Sequence, residues 1–119
     1  MISPATLTEL RDAVLSAPRV IAVGAATKPR LSAVEVVKIS TMQLSGITEY
    51  EPSEFTFTAL AGTPVSEIIA ALDEKGQYLP FDPMLVEAGS TIGGVVASGL
   101  SGPGRFRYGG VRDFILGVR

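Results

Sequence analysis

Nine glycines fall between Glu87 and Val118, in EAGSTIGGVVASGLSGPGRFRYGGVRDFILGV, and no other property of this chain narrows its possible folds as much. The segment has too few large side chains to build a core alone, while Ile92, Val95 and Val96 keep it too apolar for a disordered linker. Glycine loses more conformational entropy on folding than other residues. A cluster this dense therefore implies tight turns, positive φ angles or main-chain N–H groups brought close to a ligand. Two readings stand at this point: a backbone pressed against a ligand, and a looped sheet rich in turns.

Charge separates this segment from the rest. Residues 1–100 carry six Lys and Arg against eleven Asp and Glu, a net of -5, whereas 101–119 carry four Arg against one Asp, a net of +3. Four arginines beside an acidic body make a poor nucleic-acid footprint, so nucleic acid is set aside as a partner. With 119 residues, 46% hydrophobic and 18% charged, the chain has the size and composition of one globular domain. Cysteine and histidine are both absent. That excludes disulfides, Fe–S ligation, the usual zinc sites and any Ser-His or Cys-His nucleophile supplied by this chain. No apolar run approaches the roughly 20 residues of a membrane span, and the N-terminus lacks a signal-peptide pattern. A soluble, cytoplasmic protein is expected, and the lack of Cys fits a reducing compartment.

In the first third, Leu7, Leu10, Val14 and Leu15 share a helical face, and Thr6 with Glu9 forms a capping-box pattern, predicting a helix from about Pro4 to Ala17. After Pro18, Arg19 to Val23 reads as a buried strand that opens into Gly24-Ala25-Ala26-Thr27-Lys28-Pro29. Small residues followed by Thr and Lys offer N–H groups, a hydroxyl and a cation to a phosphate. A Rossmann turn is not met, because Ala26 stands where the second Gly belongs and Pro29 blocks a helix. The Walker pattern is also missing. A plain strand-to-loop turn remains the alternative.

Val34 to Thr41 predicts a second strand, and Ile47 to Glu51 with Phe55 to Ala61 a hairpin turned at Glu51-Pro52-Ser53-Glu54, with Phe55, Phe57 and Ala59 on one face. Thr63 and Pro64 start a helix whose apolar face is Val65, Ile68, Ile69 and Leu72, and Lys75-Gly76 ends it. Asp82, before Pro83, reads as a turn former. Thr91 to Ser98 predicts one or two helical turns with the N–H groups of Ser90 to Gly93 pointing outward, where an anion would bind. Asp113 to Val118 predicts a buried strand.

Taken together and in order, AGTPVSEIIAALDEKGQYLPFDP, STIGGVVASGL and GGVRDFILGV resemble the FAD-binding PCMH-type (vanillyl-alcohol-oxidase-type) domains, in particular FAD-binding subunits of glycolate oxidase (glycolate dehydrogenase). The resemblance covers nearly the whole chain. It implies an α+β fold of small mixed sheets flanked by helices, holding FAD. Gly24, Ala25, Ala26, Thr27 and Lys28 match the first pyrophosphate loop, with alanines where many members have glycine. Ser90, Thr91, Gly93 and Gly94 match the second cofactor-binding stretch. Ser98, Gly99 and Gly102 match its continuation toward the flavin, and Gly110, Arg112 and Asp113 the segment near the adenine side.

Some members attach flavin through His or Cys; with neither here, non-covalent FAD is implied. The family's cap domain, which carries much of the substrate pocket, has no counterpart in these residues, and its FAD-binding domain normally continues past the last strand. A single domain incomplete at its C-terminus is therefore expected, with no assignable catalytic base and no turnover in isolation. The function implied is the FAD-binding portion of an oxidoreductase that oxidises a 2-hydroxy acid by hydride transfer. Other subunits of a glycolate oxidase complex, or self-association through an exposed sheet edge, are the implied partners. A fold remnant or interaction module that no longer holds flavin is the alternative.

Overall fold

The computed structural model describes residues 1–32 and 34–119. Helix α1 (Leu7–Leu15) begins where Thr6 is extended and its hydroxyl accepts the Glu9 N–H at 3.2 Å. The Glu9 carboxylate returns to the Ala5 N–H at 2.7 Å, one residue earlier than a regular capping box. Its apolar face is not covered: Ala13 is buried, but Leu7, Val14 and Leu15 are exposed.

Strand β1 (Val20–Val23) pairs in parallel with β2 (Val37–Ser40), Val23 opposite Ser40, and Ile2 joins the far side of β2 beside Ile39. The continuous apolar run predicted a strand buried on both faces. Only Val23 of β1 is buried, because β2 is its sole strand partner among the described residues. A parallel pair needs a crossover, and here it is made by the Gly24–Lys28 loop and a 3-10 turn at Pro29–Ser32.

Strands β3 (Ile47–Glu51) and β4 (Thr56–Ala59) form the expected antiparallel hairpin. Phe55 does not lie on its inner face. It sits in the turn after the 3-10 stretch Pro52–Glu54, at φ 56° and 82% exposed. Gly62 follows, its N–H bonded to Leu44 O at 2.7 Å; a β-carbon there would overlap the Thr41 carbonyl oxygen, so only glycine lets these segments cross.

Helix α2 (Val65–Asp73) buries Val65, Ile68 and Leu72, leaves Ile69 partly exposed, and ends at Gly76 in the left-handed region, φ 66°. Pro64, not Thr63, occupies its N-cap. Thr63 is completely buried, donating its hydroxyl to Leu60 O at 2.6 Å and accepting the Gly46 N–H at 2.9 Å. Helix α3 (Ile92–Ser98) and the short α4 (Arg105–Tyr108) follow. Val65, Phe81, Val95 and Val111 form the central cluster, with Leu79, Val86, Ile92 and Val96 against it. Burying Val95 to 1% exposure contributes about 1.5–3 kcal/mol, and it anchors α3 where its first turn meets the Gly24 loop.

The strand expected over Asp113–Val118 does not form. A 3-10 turn occupies Val111–Phe114, and Leu116 and Val118 beyond it are exposed, since no strand among the described residues offers them ladder partners. The architecture is α+β, two two-stranded sheets flanked by helices. No helix among the described residues is long and apolar enough to cross a membrane.

Candidate functional site

The loop leaving β1 is short of acceptors. Among the described residues, none of the five consecutive main-chain N–H groups from Gly24 to Lys28 finds a protein partner. Ala26 holds φ 55°, a left-handed conformation of the kind that anion-binding backbone nests use. An alanine is strained there by about 1–2 kcal/mol relative to the right-handed form. Lys28 Nζ donates to Thr27 Oγ1 at 3.1 Å, placing a cation and a hydroxyl together in the loop.

The second stretch is built differently. Ser90 and Thr91 are each 1% exposed. Ser90 donates its hydroxyl to Met84 O at 2.9 Å and its N–H to Leu85 O at 3.2 Å. The N–H groups that open α3 are also taken: Ile92 donates to Thr63 O at 2.9 Å, Gly93 to Ala61 O at 2.8 Å, and Gly94 to Thr91 Oγ1 at 3.2 Å. The expected outward-pointing N–H groups at Ser90, Ile92 and Gly93 are thus turned inward, because the chain before α2 supplies carbonyls to that helix end. Gly93 is glycine for a packing reason, since a β-carbon would lie 2.7 Å from Ala61 O.

The two stretches meet at one atom. A β-carbon on Gly24 would stand 2.6 Å from Thr91 Oγ1, the same oxygen that caps Gly94. Gly24, Thr91 and Gly94 are therefore brought together, with the unmet N–H groups of the first loop on one side and a buried wall on the other. The Ser98–Gly102 strip is anchored elsewhere. Ser98 donates its hydroxyl to Val95 O at 3.3 Å, Gly99 ends α3 at φ 65°, and Gly102 is buried against Asp82, whose main-chain oxygen accepts the Gly102 N–H at 2.7 Å. Asp82 is outside the residues expected from sequence, whereas Ser101 lies within the expected Ser98–Gly102 strip. The turn-former reading of Asp82 holds, at φ 53°, but its carboxylate also accepts the Gly104 N–H at 3.1 Å. Ser101, 7% exposed, carries the one buried side-chain polar atom without a partner among the described residues.

The FAD binding domain family matches this chain over residues 1–119. The chain belongs to that family. The glycolate oxidase subunit GlcE of Escherichia coli (strain K12) is 50% identical over 74 residues, 62% of this chain and 21% of that protein. The glycolate oxidase subunit GlcD of Bacillus subtilis (strain 168) is 31% identical over 75 residues, 63% of this chain and 16% of that protein. Among solved structures, alkyldihydroxyacetonephosphate synthase shares the fold with a TM-score of 0.73 at 22% identity, covering 93% of this chain and 23% of that one. The chain thus matches about a fifth of the length of these longer proteins.

The expected PCMH-type α+β fold and FAD as cofactor therefore stand. The residues present suit that cofactor: a diphosphate is rich in acceptors, and the Gly24–Lys28 loop holds five unmet donors and a lysine.

Proposed function

We propose that this chain grips the diphosphate of a non-covalently held FAD as part of a flavoprotein oxidoreductase of the glycolate oxidase/dehydrogenase type. The observation that supports this most directly is the run of unmet N–H groups from Gly24 to Lys28, curled by Ala26 and flanked by Lys28. Gly24 to Lys28 donate to phosphate oxygens. Thr91, Gly93 and Gly94 hold the loop in place from behind, and Ser98, Gly99 and Gly102 lead toward the flavin. Ser90 fixes the turn into α3. When bound, FAD supplies the hydride acceptor for oxidising a 2-hydroxy acid such as glycolate to the 2-oxo acid. The chain itself contributes cofactor binding and orientation, and turnover requires residues outside it.

The names of the relatives, both glycolate oxidase subunits, support work alongside other subunits. Exposed Leu7, Val14 and Leu15 on α1 and the open edge of β1 favour contact with such a subunit or a second copy. The same surface suits the alternative, an interaction module without flavin. Titrating the purified chain with FAD and with ADP decides between them. Saturable binding of both, weakened about tenfold by Lys28→Ala as one charge-assisted contact is lost, supports the cofactor reading. A colourless chain that binds neither nucleotide supports the alternative.

A further inference from the structure

We propose that Asp82 is a positioning residue for the flavin end of the site, a clasp that fixes the Ser101–Gly104 loop; this rests on the FAD reading above. Three contacts make the clasp. The main-chain oxygen of Asp82 accepts the Gly102 N–H at 2.7 Å, its Oδ2 accepts the Gly104 N–H at 3.1 Å, and the adjacent Pro83 bridges to Ser101. The glycines of this loop are shaped to Asp82. A β-carbon on Gly102 would lie 2.7 Å from the Asp82 Cγ, and one on Gly104 would lie 3.0 Å from its Cβ. Their lack of side chains is thus explained by the aspartate, with no ligand required.

Asp82 reaches this position only through a left-handed backbone, φ 53°, a conformation that Asp and Asn tolerate better than other residues with side chains. A second observation points outward from the clasp. The Ser101 hydroxyl, buried in the loop that Asp82 holds, has no partner. A buried hydroxyl without a partner is costly, so a fixed loop that carries one has a donor and acceptor ready for a ligand's polar edge. The loop overlaps the Ser98–Gly102 strip, which the family resemblance places toward the flavin, so the clasp acts on the ring half of FAD. The diphosphate is gripped separately at Gly24–Lys28.

The test compares FAD with ADP, which has the diphosphate but no flavin, on the full chain carrying Asp82→Ala, Asp82→Gly or Asp82→Asn. Loss of the charged acceptor in Asp82→Ala is expected to weaken FAD about tenfold and to leave ADP within about twofold. Asp82→Gly keeps the left-handed backbone without strain and is expected to show the same selective loss with a smaller drop in Tm. Asp82→Asn keeps both an acceptor and the backbone preference and is expected to stay within about threefold of the unaltered chain for both nucleotides. If Asp82→Gly restores FAD affinity, or FAD and ADP weaken in parallel in step with Tm, the aspartate only holds the fold and the proposal fails. If the unaltered chain binds neither nucleotide, the FAD reading beneath it fails first.

Discussion

Replacing Gly24 with alanine places a β-carbon 2.6 Å from Thr91 Oγ1, about 0.8 Å inside ordinary van der Waals contact at the 3.4 Å lower limit. Thr91 cannot swing away freely, because it is 1% exposed and its oxygen caps the Gly94 N–H at 3.2 Å. Relief comes only from parting β1 and α3 or from giving up the cap. Overpacking of this kind costs about 1–3 kcal/mol. Thr91→Ala alone loses the cap for about 1 kcal/mol. In the double variant the offending oxygen is gone, so Gly24→Ala adds little and the total stays near the cost of the cap. A coupling of about 1–3 kcal/mol in the direction of mutual rescue follows, well beyond the ~0.5 kcal/mol scatter of independent sites. Urea unfolding followed by circular dichroism gives all four free energies. FAD titration of the same set is expected to rank them alike, since the oxygen both supports the wall and sets its distance from the loop. Costs that simply add would mean that Gly24 and Thr91 do not share this contact, and the two-stretch site would lose its hinge point.

Two further outcomes test local parts of the argument. Ala26→Gly removes the left-handed strain of φ 55° against a smaller gain in unfolded-chain entropy, for a net stabilisation of about 0.5–1 kcal/mol with FAD binding retained or tightened; a fall in Tm would place Ala26 in another conformation. Tyr108 meets Tyr78 edge-on at 6.3 Å between centroids, and the neighbouring Tyr78 hydroxyl, first by polar contact and then by charge repulsion between the two phenolates, raises the Tyr108 pKa above its ordinary value. A raised acid pKa means the pair's contribution is complete below the ordinary tyrosine range and lost as pH climbs through the higher value. Phenolate absorbance in Tyr78→Phe is expected to show Tyr108 titrating earlier than in the unaltered chain, and an unchanged titration would contradict the pairing.

Where a few neighbours in sequence settle the outcome, the sequence was readable. The Thr6 cap, the Val65–Ile68–Leu72 face, the Gly76 stop and the Pro52 turn are local decisions, and each formed close to its expected place. Where a partner far along the chain settles it, the sequence was misleading. Asp113–Val118 has the composition of a strand, but a strand needs a ladder, and none among the described residues reaches it. Phe55 fits the alternation of β4, yet turn geometry claimed it. Thr63 looked like a cap and became a buried link between the Gly46 turn and Leu60. Asp82 looked like one more residue before proline, and its carboxylate proved to reach Gly104, 22 positions away, which no local pattern encodes.

The glycines show the same division within the site, and it changes what their density means. Nine glycines in one segment left two readings open, a backbone pressed against a ligand and a looped sheet rich in turns; in the structure Gly93 is bare for Ala61, Gly102 and Gly104 for Asp82, and Gly109, at φ 99°, for Asp113. Close packing of chain on chain explains these four, while Gly89 and Gly99 hold positive φ with open space around them. The earlier loop, Gly24 to Lys28, where alanines stand and glycine is scarce, carries five N–H groups without a protein partner among the described residues. At these four positions glycine marks where the chain packs tightly against itself, whereas the part-exposed N–H groups of Gly24–Lys28 are free to exchange water for an anion. On the reading proposed above, the first loop takes the diphosphate, with Thr91 and α3 as its support. Substitution of Gly93 should therefore weaken FAD only to the extent that it unseats that support.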